Sequence, residues 1–348
     1  MAGGDGQLGV RSPLSFLPAL TPISWLLQTL ALFFLVGGYS AARSQRSAGS
    51  YRAWAGTRMR RLLRPLPVPL LGWIPLAAAL SLAGFTSGTL EHLAKLVVSP
   101  LWFLLVYGML TALTPVVVAV HDRLGPYGVA IPIAVTALVD LDRFALGGPA
   151  WLGWINVLAG WLVPYYLGVA WANGTPAARG PARPGDGAST GPSPLTGRCA
   201  AAGLFAGGTL ATVVLVRYAG YPASMVGLPG AAVSNLNPPT LAAVTFGVAQ
   251  VGLALLLREP LARWARRPRV WAAIAMVNLS AMTLFLWHQT AMMLVTVAGL
   301  WAGVLPGLHT TPDHLGWIAD RLLWLPAFAL VLAGCWALFN RFERPART

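Results

Sequence analysis

Apolar residues run along this chain in blocks of about 20, a length that suits neither an alternating strand nor a half-buried surface helix. A helix rises about 1.5 Å per residue and bilayer hydrocarbon is roughly 30 Å thick, so each block can cross a membrane once. The blocks predict an all-α polytopic membrane protein with nine transmembrane helices. They lie at 20–42, 66–86, 99–120, 126–146, 150–171, 199–218, 239–257, 271–299 and 322–340. Gly147, Gly148 and Pro149 alone part the fourth from the fifth. Pro65, Pro67, Pro69 and Pro75 enter or flank the second, so its first turns are expected to be irregular.

Composition supports this pattern. Of the 348 residues 56% are apolar and 10% charged, with 15 Trp against 10 acidic residues. A soluble domain carries roughly 25% charge, so this chain has too little to cover a water-facing surface. A net charge of +14 invites a nucleic-acid reading, which fails once the cations sit at span ends; no nucleic-acid partner is expected. Cys199 and Cys335 lie in or beside apolar blocks and offer no disulfide framework or metal spacing.

The cations also report orientation, because cytoplasmic loops are rich in Lys and Arg. With 43–65 inside and each block crossing once, 19 basic residues fall inside and 5 outside. That division predicts an extracytoplasmic N-terminus (1–19), a five-helix membrane half (20–171) and a flexible cytoplasmic linker (172–198). A four-helix half (199–340) and a cytoplasmic tail (341–348) follow, the whole lying in the plasma membrane. The linker is expected to be flexible because it is rich in Gly, Pro and Ser and lacks apolar periodicity. No cleavable signal peptide is expected ahead of the first span. No internal repeat of the kind found in many transporters is visible.

Ionisable groups within spans are costly and therefore candidates for function. His288, in SAMTLFLWHQTAMM, lies inside the eighth span. It is either a general base that accepts a hydroxyl proton or a neutral residue donating one hydrogen bond to a neighbour. Asp140, Asp142 and Arg143 cluster near the outer end of the fourth span. Asp140 could orient a His or bind an acceptor hydroxyl, whereas Asp142 and Arg143 read as a simple ion pair. Ser234 and Asn235, in the outer loop 219–238, are candidate acceptor-side polar residues. His92, His309 and His314 fall in outer loops; HTTPDH has no Cys or Glu to complete a metal site, so no metal is expected. Arg58, Arg61 and Arg64 crowd the loop before the second span. They serve either as orientation determinants or, at i and i+3 spacing on a helix, as bidentate ligands for a diphosphate.

The runs LLQTLALFFLVGGYSAARS (26–44) and YRAWAGTRMRRLLRPLP (51–67) resemble the second span and following loop of the integral-membrane acyltransferase-3 family. LWFLLVYGMLTALTP (101–115), NLSAMTLFLWHQT (278–290) and YPASMVGLPGAAVSNLNPPTL (221–241) extend the resemblance over nearly the whole chain, toward the actinobacterial branch. The resemblance implies ten spans, no bound cofactor and a cytoplasmic acyl-CoA-type donor. It implies transfer to a hydroxyl of an extracytoplasmic or lipid-linked acceptor, commonly a sugar. It also maps Arg61 and Arg64 onto a donor-binding Arg-x-x-Arg and His288 onto a late-helix His.

The family's front helix, with its basic residue and essential His, has no counterpart in this sequence. The start could lie upstream, the chain could be a remnant, or this branch could use another base such as His288. The competing readings are a multi-pass transporter without covalent chemistry and a catalytically inactive family member.

Overall fold

The computed structural model describes residues 12–174, 197–227 and 233–342. Most of the linker, the C-terminal tail from residue 343, the first eleven residues and 228–232 of the outer loop lie outside the described residues. The described residues form helices joined by turns and loops, with no strand among them. Its helices are α1 Thr21–Leu26, α2 Leu30–Arg46, α3 Tyr51–Leu63, α4 Pro67–Leu82, α5 Ser87–Val98, α6 Leu101–Ala112 and α7 Thr114–Leu124. There follow α8 Ala130–Leu141, α9 Ile155–Gly174, α10 Arg198–Tyr218, α11 Leu241–Ala265, α12 Pro268–Gly299, α13 Gly316–Leu323 and α14 Leu325–Phe339.

Eight stretches among the described residues are helical, long and apolar enough to cross a membrane. Seven lie where the apolar blocks predicted spans. The third is displaced: it runs over Ser87–Ala112, and α7 is a separate helix. Pro115 explains the break, since proline has no N–H to donate and suits the first turn of a new helix. The charged residues of α5 do not end the helix, because Glu91 and Lys95 pair at 2.6 Å across one turn. Thr86 caps its start, its Oγ1 accepting from the Thr89 N–H at 3.3 Å. The span predicted at 126–146 is not among the eight: α8 has 12 residues and is followed by a 5-residue π turn, Asp142–Leu146, so no single helix there is long enough. Gly147 closes that turn in the left-handed region at φ +68°. α3 carries the arginines directly into α4 through a short turn at 64–66, and α4 holds Pro75 within its length.

The chain divides into two compact units that interleave along the sequence: Leu20–Ala55 with Val106–Trp264, and Met1–Ala19 with Gly56–Leu105 and Ala265–Thr348. In the first of these α9 is the buried centre, apolar on all sides. It lies along α2 so closely that a methyl on Gly38 would overlap the Tyr165 carbonyl, and one on Gly168 the Leu35 carbonyl. Phe34 stacks on Trp161 at 5.1 Å beside this crossing. α10 and α11 meet in the same manner through Gly208 and Gly252. Small residues allow such backbone approach in lipid, where dispersion rather than water exclusion drives association.

The second unit is built on α12. Leu66 and Val68 share an apolar cluster with Leu286 and Trp287. Trp73 donates to Thr290 Oγ1 at 3.0 Å, and Leu80 packs in a cluster with Met293. α4 therefore runs parallel to α12. α14 completes the packing, with Phe339 stacked on Trp287 at 4.0 Å and Trp336 donating to Ser280 Oγ at 2.6 Å.

Candidate functional site

The predicted site residues fall into two groups, one in each unit. His288 and the three arginines belong to the unit built on α12; Asp140, Ser234 and Asn235 belong to the one centred on α9.

His288 is half-buried on α12, one turn past Phe285. Its Nδ1 lies 2.6 Å from the Phe285 carbonyl oxygen. A carbonyl can only accept, so in the neutral ring Nδ1 carries the proton and Nε2 carries the lone pair. The helix thus presets one tautomer, with the basic nitrogen on the far side of the ring from its own backbone. Phe285 flanks the ring at 6.1 Å, and Phe103 extends the aromatic wall.

Arg58 and Arg61 project from α3, and Arg64 from the turn that follows it. The i, i+3 pair expected on one helix, Arg61 and Arg64, straddles the end of α3 at Leu63. Arg61 and Arg64 are exposed and make no ion pair among the described residues. No Asp or Glu occurs between Asp5 and Glu91, so nothing local neutralises them. Arg64 precedes Leu66, which packs in one cluster with Phe285 and Trp287.

Asp140 is buried at the end of α8 and uses both carboxylate oxygens. Oδ2 accepts from the Leu241 N–H at 2.7 Å and from the Tyr221 hydroxyl at 3.0 Å. Oδ1 accepts from Asn156 Nδ2 at 3.0 Å, with an Arg143 guanidinium nitrogen 3.6 Å away. Leu241 opens α11, so Asp140 supplies the anion that a helix start favours. Burial first, and then the Asp140 charge, hold the Tyr221 phenol protonated well above its usual range.

Asn235 is also fully buried. Its Nδ2 donates to the Pro222 and Ser224 carbonyls at 2.7 and 2.9 Å, and its Oδ1 accepts from Thr240 Oγ1 at 2.7 Å. Ser234 Oγ accepts from the Leu236 and Asn237 N–H groups at 3.2 and 3.3 Å. Both residues shape the loop that leads into α11.

Two members of this group escaped the sequence reading: Asn156 and Tyr221. A signal for Asn156 was present. Asp140 stands seven residues before Gly147, and Asn156 seven after Pro149. Equal distances from a tight turn bring residues level in a helical hairpin. No comparable pattern marks Tyr221.

Among the described residues no group of three or more His, Cys, Asp or Glu side chains converges as metal ligands would. A family model described as an acyltransferase domain matches residues 5–340. No curated protein and no solved structure matches the chain.

Proposed function

The chain belongs to the acyltransferase-3 family, and from that premise we propose that it is a membrane O-acyltransferase using an acyl-CoA-type donor. The acceptor is a hydroxyl of an extracytoplasmic or lipid-linked molecule, a carbohydrate by class. The reading is carried by the preset tautomer of His288, whose Nδ1 is committed to the Phe285 carbonyl at 2.6 Å. Nε2 then takes the proton of the acceptor hydroxyl as its oxygen attacks the thioester carbonyl. When the tetrahedral intermediate collapses, the carbon–sulfur bond breaks and Nε2–H returns that proton to the departing thiolate.

Arg58, Arg61 and Arg64 hold the donor's diphosphate. Guanidinium groups suit phosphate because their planar donors engage two oxygens at once. Asp140, Ser234 and Asn235 take no chemical step in this reading; they fix the loop and helix start on which the acceptor side is built.

Thiol release from acyl-CoA by the purified chain in nanodiscs tests the proposal. His288→Asn keeps a donor for the Phe285 carbonyl and removes the base, so turnover falls about 10²–10⁴-fold. The Arg61→Ala, Arg64→Ala double variant raises KM and flattens its salt dependence, with a smaller effect on kcat. Turnover undiminished in His288→Asn would eliminate this residue as the base.

A further inference from the structure

The polar cluster at the end of α8 is built for more than its own hydrogen bonds satisfy. Asn156 is fully buried, and although Nδ2 bonds Asp140, Oδ1 has no partner. Arg143 has a side chain only 13% exposed, and one of its terminal nitrogens is buried without a hydrogen bond, 3.6 Å from Asp140 Oδ1. Asp142 Oδ2, on the same π turn, is likewise buried and unpartnered. A buried polar atom left without a partner costs about 1–3 kcal/mol. Here a donor on Arg143 and an acceptor on Asn156 stand beside one carboxylate. A single hydroxyl, accepting from the first and donating to the second, removes both costs.

Two glycines let the Asp142 and Arg143 side chains lie against the backbone of the turn. A methyl on Gly148 would overlap the Asp142 carboxylate, and one on Gly153 would come within 2.9 Å of Arg143 Nε. The π turn itself inserts a residue and re-aims Arg143, a distortion found often at functional positions.

Next to these polar groups the same segment exposes aromatic faces. Trp151 and Trp154 are 66% and 61% exposed and lie three apart on a 3₁₀ turn, Ala150–Trp154. That geometry places their side chains on one side, one above the other. Phe144, 40% exposed, lies under the Arg143 guanidinium at 5.1 Å and edge-on to Tyr221 at 5.3 Å. Flat aromatic faces beside a donor and an acceptor set for hydroxyls match a pyranose, which has an apolar C–H face and a rim of hydroxyl groups. A phosphate or carboxylate fits less well, because Asp140 and Asp142 repel anions.

We infer that Arg143, Asn156 and Asp142, flanked by Trp151 and Trp154, form a saccharide-binding subsite. This deepens the acyltransferase reading by locating the acceptor's recognition, and it rests on that reading for its role in the reaction. The sugar can be free or the headgroup of a glycolipid; the recognising chemistry is the same.

Binding, measured without acyl donor, tests it. In one arm the full chain in phosphatidylcholine nanodiscs meets trehalose and the methyl glycosides of glucose, mannose and galactose, followed by saturation-transfer NMR. In the other, the nanodiscs carry a monoglucosyl diacylglycerol, and its retention is followed by native mass spectrometry. A signal in the first arm assigns a free glycan, and retention in the second alone assigns a lipid-linked one. Either signal is expected to fall at least fivefold in Arg143→Lys, which keeps the charge beside Asp140. The same loss is expected in the Trp151→Ala, Trp154→Ala double variant, whose exposed positions leave folding intact. No signal in either arm, or binding unchanged in both variants, overturns the subsite. Thiol release governed by His288 is read separately, so the catalytic proposal can survive that outcome, and saccharide binding can survive the failure of the catalytic proposal.

Discussion

Asp140 stands between two roles, and its contacts favour one of them. A carboxylate that accepts from the Leu241 N–H, the Tyr221 hydroxyl and Asn156 at once is engaged at both oxygens in holding the loop and the start of α11. Asp140→Asn replaces one acceptor oxygen with an NH₂ group, so a buried donor then faces a donor. The expected loss is about 1–3 kcal/mol of stability, read as a lowered thermal midpoint in nanodiscs. Thiol-release turnover per folded molecule stays within severalfold of wild type. A collapse of turnover in protein that remains fully folded would put Asp140 back among the catalytic groups. Sequence reading located this residue, because an acid at the end of an apolar block is conspicuous. Its partners were less legible, since Tyr221 lies in a loop whose path depends on cavities and side-chain directions that no periodicity encodes. The preset tautomer of His288 was hidden for the same reason: it depends on a rotamer, not on a spacing.

Helices were legible wherever lipid imposes a block of apolar residues, and less so where two local signals compete. The block at 99–120 ignored Pro115, while the charges of α5 looked like a loop and instead pair within the helix. The glycines of α2 and α9 carried a signal that only the crossing makes clear, because Gly38 and Gly168 lie on different helices far apart in sequence. Gly168→Ala forces backbone against backbone with no flexible side chain to yield, and overpacking of this kind costs about 1–3 kcal/mol or more. Gly203, on α10, has nothing within 4 Å of where a Cβ would sit. There the same substitution gains about 0.5–1 kcal/mol from helix propensity. Thermal midpoints of the two variants should therefore move in opposite directions. A Gly168→Ala protein as stable as wild type would mean that α2 and α9 are not in backbone contact.

For the molecule as a whole, one short segment decides which face meets the donor. α8 and its π turn have a length at the lower end of what bridges hydrocarbon. If 130–146 crosses, the five arginines at 258–269 share a side with those at 43–64; if it does not, they lie on opposite sides. Placing five cations across from seven would discard the charge asymmetry that orients insertion, so the chain is expected to cross there. Single cysteines at 60, 145 and 266, introduced with the exposed Cys199 replaced by Ser, read the outcome in intact expressing cells. An impermeant maleimide should label Ala145→Cys directly and reach Arg60→Cys and Arg266→Cys only after permeabilisation. Labelling of Arg266→Cys in intact cells with Arg60→Cys protected would mean that 130–146 returns to the side it came from. The saccharide subsite on that segment would then share the donor's side of the membrane, and transfer to an acceptor outside would lose its structural basis.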